Sequence, residues 1–338
     1  MLAYIIRRGF IGVIMLLVMS LVTFILFFAS PIDPARYACG KNCSPALQEQ
    51  TSKALGYNKP AVQQWTDFLR GIVAGREYPD DPSIREAAPQ LVTSCPAPCM
   101  GYSVVNSKLV ADEIKDAFPI TLSLTLAAFI MWILGGVGFG VLAAVKKGTI
   151  IDRGIVGVSL VLFAFPAFFT GLFLLKFLAI KWQVVPIPTY TSIADGGVLT
   201  WLQGLLLPGI TLAVLFMAAY VRMTRAFVLE SMHEDYVRTA MSKGLKPRRV
   251  LFKHSLRAAL TPLVTMAGLD FAGLLGGAII TETVFNYNGL GKLFYDANKT
   301  FDLPTIIGIV VLVGFFVITA NIIVDLLYAV IDPRVRVG

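Results

Sequence analysis

Charge is scarce in this sequence. Asp, Glu, Lys and Arg supply 15% of its 338 residues, against 56% hydrophobic ones, and the mean hydropathy is +0.73. A water-soluble domain carries charge on roughly a quarter of its residues. Histidine is nearly absent: His233 and His254 are the two in the chain, and two loop histidines offer no metal cluster. No G-x-x-x-x-G-K-S/T cradle occurs, so the chain cannot hydrolyse ATP by P-loop chemistry. Low-complexity runs, heptad arrays and repeats of about 20 to 50 residues are missing too, which leaves one membrane domain with an insertion.

Apolar runs take the place of these features. A membrane-crossing helix needs about 20 mostly apolar residues, because every backbone amide in hydrocarbon must bond within its own segment. Six runs qualify: residues 9–30, 118–145, 154–175, the apolar part of 196–221, 258–281 and 303–324. Asp270 interrupts the fifth, and Asp325 follows the sixth. The first is longer than the apolar stretch of a cleaved leader and ends in Pro31, Asp33 and Pro34, so it reads as a retained helix. The expected fold class is an all-α integral membrane protein with six transmembrane helices and an extracytoplasmic insertion between helices 1 and 2.

An even number of crossings puts both termini on one side, and lysine and arginine near the helix ends mark the cytoplasm. With the termini inside, the inner segments hold sixteen lysines and arginines against five carboxylates, and the outer segments twelve against fourteen. The formal net charge of +8 therefore follows topology. Confined to short loops beside apolar runs, it is no nucleic-acid footprint. The expected organisation is a cytoplasmic N-terminus and first helix over residues 1–30, an extracytoplasmic segment over 31–117 and a membrane core over 118–338. The chain belongs in a cell (plasma or inner) membrane, surrounded by lipid.

All four cysteines, Cys39, Cys43, Cys95 and Cys99, fall in the extracytoplasmic segment as two Cys-x-x-x-Cys pairs. An oxidising compartment favours disulfides, with three pairings open. Metal binding is the alternative, but the spacing is not Cys-x-x-Cys, Pro96 and Pro98 stiffen one pair and no histidine is near; no metal site is expected. In the fifth run, Asp270 reads either as lining a water-filled path or as bonded to a hydroxyl or to Lys176, since intramembrane carboxylates face water or a partner. Glu282, at the outer end, reads as a solvated cap or gate residue. Gly136-x-x-x-Gly140 and Gly273-x-x-x-Gly277 permit close helix approach, to another subunit or within the chain.

The cytoplasmic loop over residues 226–257 is longer than a connection requires. Ser231 and Glu234 have capping-box spacing, so a helix is predicted to start there. Gly244 suits a left-handed stop, with Lys243 in the last turn, and a second helix is predicted from Pro247. Met232, Tyr236 and Ala240 recur every four residues, widened by Val237 and Met241, as an apolar stripe that needs a cover. Anionic headgroups are one cover; a protein surface is the other, favoured by the small Ala240, Ser242 and Gly244.

The run Asp235-Tyr-Val-Arg-Thr-Ala-x-x-Lys-Gly244-Leu, followed by Arg248-Arg-Val-Leu-x-x-His254-x-Leu256-Arg257, resembles the cytoplasmic "EAA" loop of permease subunits of peptide-importing ABC transporters, specifically the B-type subunit of dipeptide and oligopeptide systems. Further matching blocks follow in the same order along the chain: Tyr4-Ile-Ile-Arg7-Arg8, Pro31-Ile-Asp33-Pro34, Phe118-Pro119-Ile-Thr121, Thr281-Glu282-Thr-Val284-Phe285 with Gly289-Leu290-Gly291, and Asp325 to Tyr328 with Asp332-Pro333-Arg334-x-Arg336. Ile32 and Asn288 stand where the family usually has Gly and Pro, and the cysteine-bearing insert is not a family pattern.

The resemblance implies an ABC importer type I permease-like fold and a subunit that is not itself an enzyme. It implies a second permease subunit, two ATPase subunits or domains that carry the ATP and Mg, and an extracytoplasmic solute-binding protein that delivers di- or oligopeptides. No cofactor is expected on this chain. Carried onto this sequence, the ATPase-coupling residues are Ser231, Glu234, Asp235, Tyr236, Arg238, Thr239, Ala240, Lys243, Gly244 and Leu245; Asp270 and Glu282, read from their place in and at the end of the fifth run, are the candidate translocation-path residues. The alternative is an ion-coupled secondary transporter using Asp270.

Overall fold

The computed structural model describes residues 2–29, 33–40 and 42–331; Pro31 and Ile32, and Asp332, Pro333, Arg334 and Arg336 of the terminal block, lie outside the described residues. In chain order, α1 (Leu2–Ala29) is followed by α2 (Pro34–Ala38), α3 (Pro45–Leu55), α4 (Ala61–Ala74), β1 (Arg76–Tyr78) and α5 (Pro82–Ala87). Strands β2 (Thr93–Cys95), β3 (Tyr102–Ser103) and β4 (Lys108–Leu109) lead into α6 (Val110–Val145), α7 (Ile150–Ala164) and α8 (Ala167–Leu174), with a π turn over Leu175–Lys181. Next come α9 (Ile193–Ser231), α10 (Asp235–Ser242), α11 (Pro247–Val250), a π turn over Leu251–Ser255 and α12 (Leu256–Leu275). Last are α13 (Ile279–Val284), α14 (Leu290–Thr300) and α15 (Leu303–Ile331).

Five helical runs among the described residues are long and apolar enough to cross a membrane, and a pair bent by 99°, Ile150–Ala164 with Ala167–Lys181, makes a sixth when its arms count as one span. Two of the six expected runs are broken. The third, expected as one helix over residues 154–175, bends because Pro166 offers no N–H and pushes Phe165 out of the helical region, to φ −82° and ψ 130°. The fifth, expected to reach residue 281, stops at Leu275, where Gly276 and Gly277 follow and Gly277 takes a φ of +108°. Helix α9 runs past its expected end at residue 221 to Ser231.

The chain divides into two compact units, Met1–Pro119 with Asn288–Thr319, and Ile120–Tyr287 with Ala320–Gly338. In the first unit the insertion is a set of short capped elements. Asp33, Ser44 and Asp81 accept backbone N–H groups at the starts of α2, α3 and α5, each followed by proline at the first helical position. Strands β1 and β2 pair antiparallel with Arg76 opposite Cys95, and β3 pairs with β4. The structure pairs Cys39 with Cys43 and Cys95 with Cys99, and the second bridge is buried against Tyr78. Helix α4 lies on α1: Phe24 and Phe68 rings approach to 5.5 Å, and Trp65 Nε1 donates to Ser20 Oγ at 3.0 Å, a bond worth about 1 kcal/mol.

An ion network braces this insertion. Asp80 accepts from Lys59 at 2.6 Å and Arg76 at 2.5 Å, and Asp67 accepts from Lys59 at 2.7 Å. Burial opposes the charge on Asp80, yet the bonds from Lys59 and Arg76 hold its carboxyl below the usual aspartate range. A carboxyl lowered on folding contributes stability above its unfolded pKa and loses it as the pH falls through the folded value. Limited proteolysis of the insertion should therefore accelerate on acidification below about pH 4, and Asp80→Ala should raise cleavage at neutral pH and flatten that dependence.

The second unit packs around Leu124, Trp132, Leu205, Tyr220, Leu263 and Tyr287. Glycines bring α6 onto α9: a Cβ at Gly136 would stand 2.5 Å from Tyr220 Cβ, and one at Gly140 2.5 Å from Thr224 Cβ and 2.8 Å from the Val221 carbonyl oxygen. The first small-residue motif thus serves packing within the chain. At Gly273 an added Cβ would meet nothing within 4 Å. Arg225 grips Asp152 with two bonds of 2.7 and 2.8 Å, and the Gly148 N–H donates to the same carboxylate at 2.9 Å, tying α7 to α9. Tyr287 Oη donates to the Gly204 carbonyl at 2.7 Å.

Candidate functional site

Between α9 and α12 the chain folds back on itself twice. Helix α9 continues through Ser231, so Ser231 ends a long helix and does not begin a new one. Its hydroxyl is buried and donates to the Ser255 carbonyl at 2.9 Å. The capping box predicted for Ser231 and Glu234 is not formed: Glu234 occupies the N-cap of α10 with no side-chain bond, and Asp235 supplies the acid of the first turn. Thr239 Oγ1 donates to the Asp235 carbonyl at 2.9 Å. Arg238 stays largely in solvent, 3.9 Å from Asp235, where an ion pair contributes little.

The predicted stop is present. Gly244 takes a φ of +76°; its N–H donates to the Met241 carbonyl at 2.9 Å and that of Leu245 to the Ala240 carbonyl at 3.3 Å, while Lys243 is the exposed C-cap. Only a residue without Cβ takes this backbone cheaply. The chain then turns into α11 at Pro247, the predicted second start.

The predicted single stripe divides in two. Val237, wholly buried, and Ala240 pack with Val250 and Leu245, because the return at Gly244 brings α11 against that side of α10. Met232, Tyr236 and Met241 remain exposed, as does Phe252, with the Arg248 guanidinium 6.0 Å from its ring. Helix α10 therefore has a seat inside the chain, flanked around the helix by the exposed Tyr236 on one side and Met241 on the other.

In the membrane runs, Asp270 is half-buried, and its Oδ2 accepts from Tyr220 Oη at 2.6 Å. The hydroxyl, not Lys176, is its partner. Glu282 is wholly buried: its Oε1 accepts from Thr121 Oγ1 at 2.8 Å and from the Ala278 N–H at 3.2 Å. The solvated-cap reading of Glu282 is thereby corrected. After the break at Gly276 and Gly277, Glu282 ties the next N–H, that of Ala278, to Thr121 of α6. No group of three or more His, Cys, Asp and Glu placed to hold a metal ion occurs among the described residues.

A family described as binding-protein-dependent transport system inner membrane component matches residues 136–337, and its N-terminal companion matches residues 1–125. This chain belongs to that family. The permease is thus a multi-pass inner-membrane protein. It is 34% identical, over 98% of its length and 99% of the relative's, to the probable peptide ABC transporter permease protein y4tP of Sinorhizobium fredii. To the dipeptide transport system permease protein DppB of Escherichia coli (strain K12) it is 33% identical, over 99% of both chains. Its fold is similar to that of a chain in the inward-facing MetNI methionine ABC transporter, with a TM-score of 0.51, 18% identity and coverage of 66% of this permease and 97% of that chain. It has the type I importer permease architecture.

Proposed function

We propose that this permease is the membrane subunit of an ATP-driven importer of short peptides. Its termini lie in the cytoplasm. It pairs with a second permease subunit to enclose the translocation path, and an extracytoplasmic solute-binding protein delivers the peptide. Two ATPase subunits bind the nucleotide and Mg, and one of them receives the exposed Tyr236 and Met241 of α10 together with Met232, which precedes it. The observation that carries the reading is the set of exposed apolar side chains beside the seat of Val237 and Ala240, in a chain alike over nearly its whole length to peptide permeases. An ion-coupled carrier using Asp270 has no use for a seated docking helix. In vesicles holding the purified complex, ATP hydrolysis should rise when a peptide-loaded binding protein is added, and labelled peptide should accumulate. Uptake that continues without ATP and collapses with the ion gradient would overturn the proposal.

A further inference from the structure

The membrane carboxylate of α12 lacks a counter-ion. Tyr220, buried on α9, holds Oδ2 of Asp270 at 2.6 Å, and no lysine, arginine or histidine pairs with Asp270 among the described residues. Lys176, the one cation expected nearby, is exposed and lies 5.9 Å over the Phe177 ring. Carboxylates within membrane helices almost always face a water path or a partner. The helix around it is open on one side: Met266, Leu269 and Gly273 are exposed, and the positions 266, 269, 270 and 273 form one stripe at helical spacing. Beside Asp270, one turn along, Gly273 leaves empty space where any side chain would stand.

We propose that Asp270, oriented by Tyr220, is a transient binding site for the ammonium group of the cargo, the free amino terminus of a short peptide. This rests on the peptide reading above. Tyr220 supplies one hydrogen bond and no charge, so the carboxylate keeps its full attraction for a passing cation. Room at Gly273 admits the first peptide unit behind the ammonium.

The test compares the intact transporter carrying Asp270→Asn, Asp270→Glu or no substitution, reconstituted in vesicles with its binding protein and labelled dialanine. Asparagine preserves the acceptor for Tyr220 and removes only the charge. Dialanine moved per ATP hydrolysed should fall about tenfold, the usual weight of one charge-assisted hydrogen bond. Binding-protein-stimulated hydrolysis should stay within about twofold, and Asp270→Glu should recover most of the transport. A purely structural carboxylate would lower complex yield and hydrolysis together. Wild-type coupling in Asp270→Asn, or a complex that fails to assemble, overturns the proposal. An unsubstituted transporter that hydrolyses ATP yet moves no dialanine sinks the peptide reading itself.

Discussion

Gly140→Leu should abolish accumulation of folded permease, while Gly138→Leu, two residues away on the same helix, should leave it near wild type. A Cβ at Gly140 would be driven into Thr224 and the Val221 carbonyl oxygen, whereas one at Gly138 meets nothing within 4 Å. Helix propensity and hydrophobicity change equally in the two variants, so the difference isolates the contact between α6 and α9. Overpacking commonly costs about 1–3 kcal/mol. The upper end applies here, because one obstacle is backbone, which cannot rotate away. Arg225 and Asp152 couple α7 to the same helix, so separating α6 from α9 exposes a larger surface than one glycine suggests. Size-exclusion profiles of detergent-solubilised protein decide the matter. A monodisperse Gly140→Leu peak of wild-type height would show that the two helices do not meet there.

The second large effect is expected at the loop. Val237→Asp should eliminate transport and strip the ATPase subunits from the purified complex, with the permease still inserted at normal levels. Helix α10 spans Asp235–Ser242, far short of the roughly 12–15 residues at which isolated helices hold together in water. Its order therefore derives from the seat that Val237 and Ala240 make with Val250 and Leu245. A carboxylate at the wholly buried Val237 would lie among the apolar Ala240, Leu245 and Val250 and would be several kcal/mol out of place. Tyr236→Ala removes an exposed ring beside the seat, leaving Val237 and Ala240 in place and weakening only the docked contact. Hydrogen exchange across residues 232–254 separates the two: Val237→Asp should deprotect the segment and Tyr236→Ala should not. Full retention of ATPase subunits by Val237→Asp would remove α10 from the coupling interface.

The membrane runs were legible because a bilayer demands one property over about twenty residues, and composition reports that directly. Their breaks were less so. Pro166 is visible in the sequence, but prolines also lie inside α6, α9 and α12 at Pro119, Pro208 and Pro262 without ending them, so proline alone does not announce a 99° bend. Gly244 was readable because a left-handed stop has a local residue preference. The capping box failed for the opposite reason: Ser231 and Glu234 have the right spacing, but α9 had not yet ended, and Ser231 was claimed by Ser255, 24 positions on. Splitting the α10 stripe needed knowledge of where the chain goes after Gly244. Glu282 was misjudged because its partner Thr121 is 161 positions away. Asp152 and Arg225, 73 positions apart, were each visible as loop charges, and no spacing rule joins them.

The bond from Ser231 to the Ser255 carbonyl makes the segment between them a closed cassette, because its entry and exit are fastened to each other before the flanking helices take any strain. On the docking role proposed above, residues 232–254 can be exchanged for those of a relative without disturbing the crossings on either side.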